Sequence, residues 1–120
     1  MSELTVPSGN IDLQDAVDIT TNWRNFMSPS NPQATNFLRA FYIPIDDITN
    51  LASYHNVEAV RAYIGLAVPG DASTAKLALV PVSDRGVDIV GTVRSSSVYD
   101  LTQPCPQNCD TTSPLYTGTI

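Results

Sequence analysis

Two cysteines, Cys105 and Cys109, stand four apart in "YDLTQPCPQNCD" and are the only two in the 120-residue chain. Three intervening residues fall within the spacing of zinc-ligand pairs. A closed zinc site takes four ligands. The chain offers two thiolates, one distant histidine, His55, and carboxylates such as Asp100 and Asp110. A two-fold dimer supplies four thiolates, two from each copy, so zinc held across a dimer is one reading. A disulfide is a second. It needs the two Cα atoms within about 7 Å, and "CPQNC" can turn, with Pro106 and Asn108 both suited to turn positions. So short a loop contributes about 2 kcal/mol through loop entropy. In a third reading both are small apolar side chains that pack a proline-stiffened tail onto the core. The redox reading wants C-x-x-C, which is missing.

Arg39 and Arg61 each interrupt an otherwise apolar segment. A guanidinium in a half-buried sheet takes a carboxylate or phosphate partner, preferably bidentately. With Tyr63 or Tyr42 nearby, one reading is an anion pocket on the sheet face, built from Arg39, Arg61 and Tyr63. The other is a solvent-facing side chain, or an internal pair with Glu58 or an aspartate. A catalytic triad has to pass through His55, the one histidine. It falls at the expected end of a helix, where a hydrogen-bonding or cationic side chain is locally favoured. The sequence contains no phosphate-binding G-x-x-x-x-G-K-[ST], no G-x-G-x-x-G and no G-x-S-x-G. Nothing in it assembles an acid, a base and an activated nucleophile, so no catalytic residue is assigned.

Charge narrows the partners. The net charge is −6, with one lysine, Lys76, and arginines scattered at 24, 39, 61, 85 and 94. Nucleic-acid binding draws on clustered cations, as does an anionic membrane surface. Neither class fits. The opening "MSELTVPSGN" has no basic and no apolar region of a signal peptide. The longest apolar stretch, "VEAVRAYIGLAVPG", is interrupted by Glu58, Arg61, Gly65 and Pro69 and is too short to span a bilayer. A soluble, cytoplasmic protein is the expectation, and a reducing cytosol disfavours a structural disulfide.

The elements that position these residues follow from spacing. In "IDLQDAVDITTNWRNFM", 11 to 27, Leu13, Ala16, Val17, Thr20, Trp23 and Met27 recur at helical steps. Asp12 suits the N-cap and Asp15 the N3 position. Asp12, Asp15 and Asp18 resemble a metal-binding comb, but the macrodipole accounts for acids at a helix start. "SPSNPQ", 28 to 33, ends the helix. "FLRAFYI", 37 to 43, reads as a buried strand. Pro44 then opens a helix with Ile45, Ile48, Leu51 and Ala52 on one stripe. In "VEAVRAYIGLA", 57 to 67, Val60, Ala62, Ile64 and Leu66 face one way and Arg61 and Tyr63 the other, and Glu58 breaks the pattern at its start. "KLALVPV", 76 to 82, is a further strand whose Pro81 signals an edge or bulge. "SDRG", 83 to 86, is a turn, and "VDIVGTV" is a candidate fourth strand. Beyond Ser95 the chain is polar and proline-rich.

The order predicts an α+β fold of two layers: a small antiparallel sheet of three to four strands, two helices on one face, and an irregular tail. At 120 residues one domain is expected, with a core over 11–94 and a tail over 95–120 packed on it or on a neighbour.

The layout also resembles a family of small uncharacterised bacterial proteins. They show an "IxLEEA"-type opening helix, an "AF" strand feeding a helix, a "VRxYxGL" strand, a "LVLVPVDxxGxD" hairpin and a "PCPxxC" tail. The counterparts here are "IDLQDAVDIT", "AFYIPIDDI", "VRAYIGL", "LALVPVSDRGVD" and "YDLTQPCPQNC", over roughly residues 11 to 109. The resemblance implies a compact bacterial cytoplasmic domain and brings no catalytic residues. Apolar strands, proline-rich ends and missing catalytic motifs make a non-enzymatic interaction or self-associating module the leading expectation. A zinc protein and a small-anion binder or enzyme are the alternatives.

Overall fold

In the computed structural model, residues 9–32, 34, 36–92 and 94–120 are described. The opening segment 1–8, Gln33 of the expected linker and Val93 of the expected fourth strand lie outside them. The chain divides into two compact units, Met1–Phe37 with Asp110–Ile120, and Leu38–Cys109.

The first unit pairs two helices. Helix α1 spans Leu13–Met27, with Asp12 at the N-cap position, although its side chain makes no capping bond. Val17 and Arg24 are its buried residues, while Leu13, Trp23 and Met27 of the predicted stripe are exposed. Arg24 is buried because its donors are used. Nη1 donates to the Leu115 carbonyl at 2.7 Å and Nη2 to Thr21 Oγ1 at 2.7 Å. Leu115 belongs to the last helix, Pro114–Thr117. Gly118 ends that helix at φ 82°, and a Cβ there meets Arg24 Nη2 at 2.5 Å. Both the left-handed backbone and the close guanidinium require glycine.

The second unit carries the sheets. Strand β1, Ala40–Tyr42, precedes helix α2, Ile45–Ala52. Strand β2, Val57–Leu66, and strand β3, Ala75–Ser83, follow, then β4, Gln103–Cys105. The last helix is α3. β1 pairs antiparallel with β4, and β2 with β3. The α+β class holds, but among the described residues the expected sheet of three to four strands is two sheets of two strands each. "VDIVGTV" makes single bridges, Val82 to Asp88 and Gly91 to Ser96, rather than a strand. β1 is not a buried strand either: Ala40 and Tyr42 are exposed.

The core of this unit is Leu51, Leu77 and Leu79, with Phe41 and Tyr99 packed against it. Of the predicted α2 stripe only Leu51 is buried. Its companion one turn back is Asp47, and Ile45 and Ile48 face out. The helix enters β2 through Asn56 at φ 60°, a conformation asparagine tolerates. A bulge between Val57 and Ala59 takes up Glu58, where the strand alternation also falters.

β3 is bonded along both of its edges. Leu79 exchanges two backbone hydrogen bonds with Tyr99, at 2.8 and 2.9 Å. The Pro81 carbonyl accepts from the Ile89 N–H at 2.8 Å, and the Ser83 N–H donates to the Val87 carbonyl at 2.9 Å. At Leu77 a side chain stands in for a strand. Its N–H donates to Thr102 Oγ1 at 2.9 Å, and that hydroxyl donates back to the Leu77 carbonyl at 3.3 Å. Pro81 therefore lacks its N–H on the side of residues 87–89, where no ladder with β2 is broken. That is why a buried proline is tolerated inside a paired strand.

Thr102 is buried, so its removal leaves the Leu77 N–H unpaired. Thr102→Val is expected to cost about 1–3 kcal/mol in urea unfolding, and Thr102→Ser distinctly less. Equal stability of Thr102→Val and the wild type contradicts this account of β3.

Candidate functional site

The alternation along β3 fixes the one along β2. Leu77, Leu79 and Pro81 turn their backbone groups toward residues 88–102, so they stand opposite Ile64, Ala62 and Val60 as non-hydrogen-bonded pairs. Arg61 and Tyr63, opposite Val80 and Ala78, make the β2–β3 ladder bonds. It follows that the N–H and C=O groups of Val60, Ala62 and Ile64 point away from β3. Among the described residues they have no hydrogen-bond partner. Among the described residues β2 is thus an open edge.

The side chains of that edge separate as the sequence predicts. Val60, Ala62 and Ile64 share the face of Leu77 and Leu79, which α2 covers. The cover stops short of β2: Val60 is 41% and Ile64 76% exposed. Arg61 and Tyr63 lie on the opposite face. Both bind one carboxylate, Asp88, through an ion pair from Arg61 Nη1 to Oδ1 and a hydrogen bond from the Tyr63 hydroxyl to Oδ2. The hydrogen bond with Tyr63 and the charge of Asp88 raise the Arg61 pKa above its ordinary value. Asp88 bridges Val82 from the far side of β3. The Arg61 and Tyr63 side chains therefore reach back across β3, away from the open edge.

Of the predicted anion-pocket residues, Arg61 and Tyr63 come together, and the Arg61 charge is met by Asp88. Arg39 stands on the other sheet, beside β1, with its amide donating to the Cys105 carbonyl at 2.7 Å. The internal pair with an aspartate, the alternative reading of Arg61, is the one present, and the sequence does not single out Asp88 as that aspartate. It lies 27 residues from Arg61, and only the hairpin through Gly86 brings the two together. His55 is exposed in the turn after α2.

Cys105 and Cys109 are joined in a disulfide, with Cα atoms 5.0 Å apart. The turn is closed by the Gln107 and Asn108 amides, both donating to the Pro104 carbonyl at 3.0 Å. Metal ligation takes thiolates, so zinc on this pair belongs to the reduced chain. Among the described residues no three His, Cys, Asp or Glu side chains gather into a metal-binding group, and no helix is long and apolar enough to cross a membrane.

A second polar group lies beside the core. The Tyr54 and Tyr99 hydroxyls are 3.2 Å apart. That bond, with burial and the nearby Asp47 charge, holds the Tyr99 phenol above its ordinary range. A raised phenol pKa means that its share of stability is complete below the ordinary tyrosine range and is lost as pH rises through the raised value.

Comparison with protein-family models, with curated proteins and with solved structures finds no match.

Asp88→Asn keeps the size of the side chain and removes its charge. An exposed ion pair adds little stability, so a small thermal shift is expected, together with loss of order at Arg61. The Arg61 Nε–Hε signal in NMR reads this directly: it should move toward free arginine. An unchanged signal shows that Asp88 does not hold the guanidinium in place.

Proposed function

We propose that this protein is a non-enzymatic interaction module that takes up an extended strand along the open edge of β2. The observation that carries the reading is the row of backbone groups at Val60, Ala62 and Ile64, unpaired among the described residues. An exposed strand edge is a template for another chain, and main-chain bonds supply the affinity. Proteins block such edges with charges, prolines or bulges. Here the bulge lies at one end, at Glu58, and the charge of Arg61 is drawn back over β3 by Asp88. The exposed Val60 and Ile64 side chains then supply an apolar shelf beside the edge. Specificity in this mode comes from alternate side chains of the incoming strand meeting that shelf.

Peptide selection from a random library tests the reading, with Ala62→Pro as the control. The Ala62 N–H points outward, so proline removes one edge donor without breaking the β2–β3 ladder. Selected peptides are expected to protect the Val60, Ala62 and Ile64 amides from exchange and to lose at least tenfold in affinity on Ala62→Pro. Peptides that bind both proteins equally, or that protect none of these amides, refute it.

Cytoplasmic residence belongs to the same reading, and it makes a separate prediction. In a reducing compartment Cys105 and Cys109 are thiols. Alkylation of a freshly quenched bacterial lysate should label both. An unlabelled, oxidised pair assigns the protein to an oxidising compartment instead.

A further inference from the structure

We infer that Cys109 is a thiolation site for low-molecular-weight disulfides, and that Cys105 resolves the adduct by closing the bond seen in the structure. Strand uptake by β2 plays no part in this. The two cysteines differ in access. Cys105 ends β4, pairs with Ala40 and is 3% exposed. Cys109 lies beyond the turn and is half-buried. Thiol–disulfide exchange depends on access to the attacking thiol, so a disulfide from solution meets Cys109 first.

The turn between them is held by groups other than sulfur. The Gln107 and Asn108 amides both donate to the Pro104 carbonyl at 3.0 Å, and Asn108 Nδ2 donates to Gln103 Oε1 at 2.9 Å. From outside the turn, the Arg39 amide donates to the Cys105 carbonyl at 2.7 Å. None of these bonds passes through sulfur, so the reduced chain keeps the turn. That turn sets the two Cα atoms 5.0 Å apart, inside disulfide reach. An accessible thiol with a resolving thiol poised beside it is the arrangement of redox-responsive cysteines. The pair is itself oxidised and passes nothing to a protein substrate, so the missing C-x-x-C spacing is no obstacle.

The Cys109 thiolate attacks one sulfur of a disulfide RSSR, forming the mixed disulfide Cys109–S–SR and releasing RS−, which takes a proton. The Cys105 thiolate then attacks Cys109 Sγ, forms the Cys105–Cys109 bond and expels the second RS−. The chain loses two electrons and two protons, and RSSR is reduced to two RSH. A dithiol reverses both steps and leaves as a disulfide. A closed loop this short constrains little of the chain, so the cycle runs without unfolding β2 and β3.

Intact-mass spectrometry of the reduced protein, exposed to oxidised glutathione, tests both roles. The wild type is expected to end two hydrogens lighter with no adduct. Cys105→Ala should accumulate one glutathione, on Cys109. Cys109→Ala should react at least about tenfold more slowly, because its remaining thiol is buried. In urea the two variants should react alike. Equal rates in the folded variants, or a difference that persists in urea, overturn Cys109 as the point of entry. A wild type that retains glutathione overturns Cys105 as the resolving thiol. Limiting alkylation of the reduced wild type reads the same asymmetry without a substitution: Cys109 should label first, and earlier labelling of Cys105 overturns the assignment. Amide exchange reads the turn. Gln107 and Asn108 should stay protected in the reduced chain, and loss of that protection refutes a turn held without the disulfide.

Discussion

Everything in the larger unit depends on how β3 shares out its backbone hydrogen bonds. One set of its residues bonds to β2, and the alternate set bonds to a segment that is hardly a strand at all. Tyr99, Ile89 and the Thr102 hydroxyl each satisfy one position. Buried amides left unpaired cost more than a bond contributes, so these makeshift partners are what permit Leu77, Leu79 and Pro81 to be buried. The arrangement is asymmetric. Among the described residues β3 is consumed on both sides, and β2, the longer strand, is bonded on one.

The Asp88 carboxylate turns that asymmetry into a surface. A charged side chain is the usual guard of a strand edge, and β2 has one in Arg61. Asp88 draws it across β3 together with Tyr63. What remains at the edge is backbone and two β-branched side chains. The carboxylate is bonded to two side chains of β2, and the rotamers it fixes are the ones that leave the edge clear. Anion binding at Arg61 has to compete with this internal partner.

Local features were readable from the residues. The helical steps of α1 and α2, the turn at Ser83–Gly86 and the alternation of β2 all depend on neighbours within a few positions, and all are present. The interruption of that alternation at Glu58 is where the bulge sits. What could not be read was which face of each element is covered. Ile45 and Ile48 carry the apolar stripe of α2, yet the buried companion of Leu51 is Asp47. A sheet of two strands is too narrow to cover the rest. Burial of Arg24 depends on a carbonyl 91 residues away. The role of Thr102 depends on a partner 25 residues away. Neither separation leaves a mark on local composition. For Cys105 and Cys109 the spacing admitted several chemistries, and the turn at Pro104 brings the two sulfurs together.

The central claim is that β2 is bonded on one edge and open on the other. Residue-resolved amide hydrogen exchange, on a sample dilute enough to be monomeric, addresses it most directly. The account predicts alternation along one strand: Arg61 and Tyr63 protected through the ladder with β3, and Val60, Ala62 and Ile64 exchanging near the rate of an open chain. Uniform protection from 60 to 64 in the monomer contradicts it, because the outer edge must then already be covered.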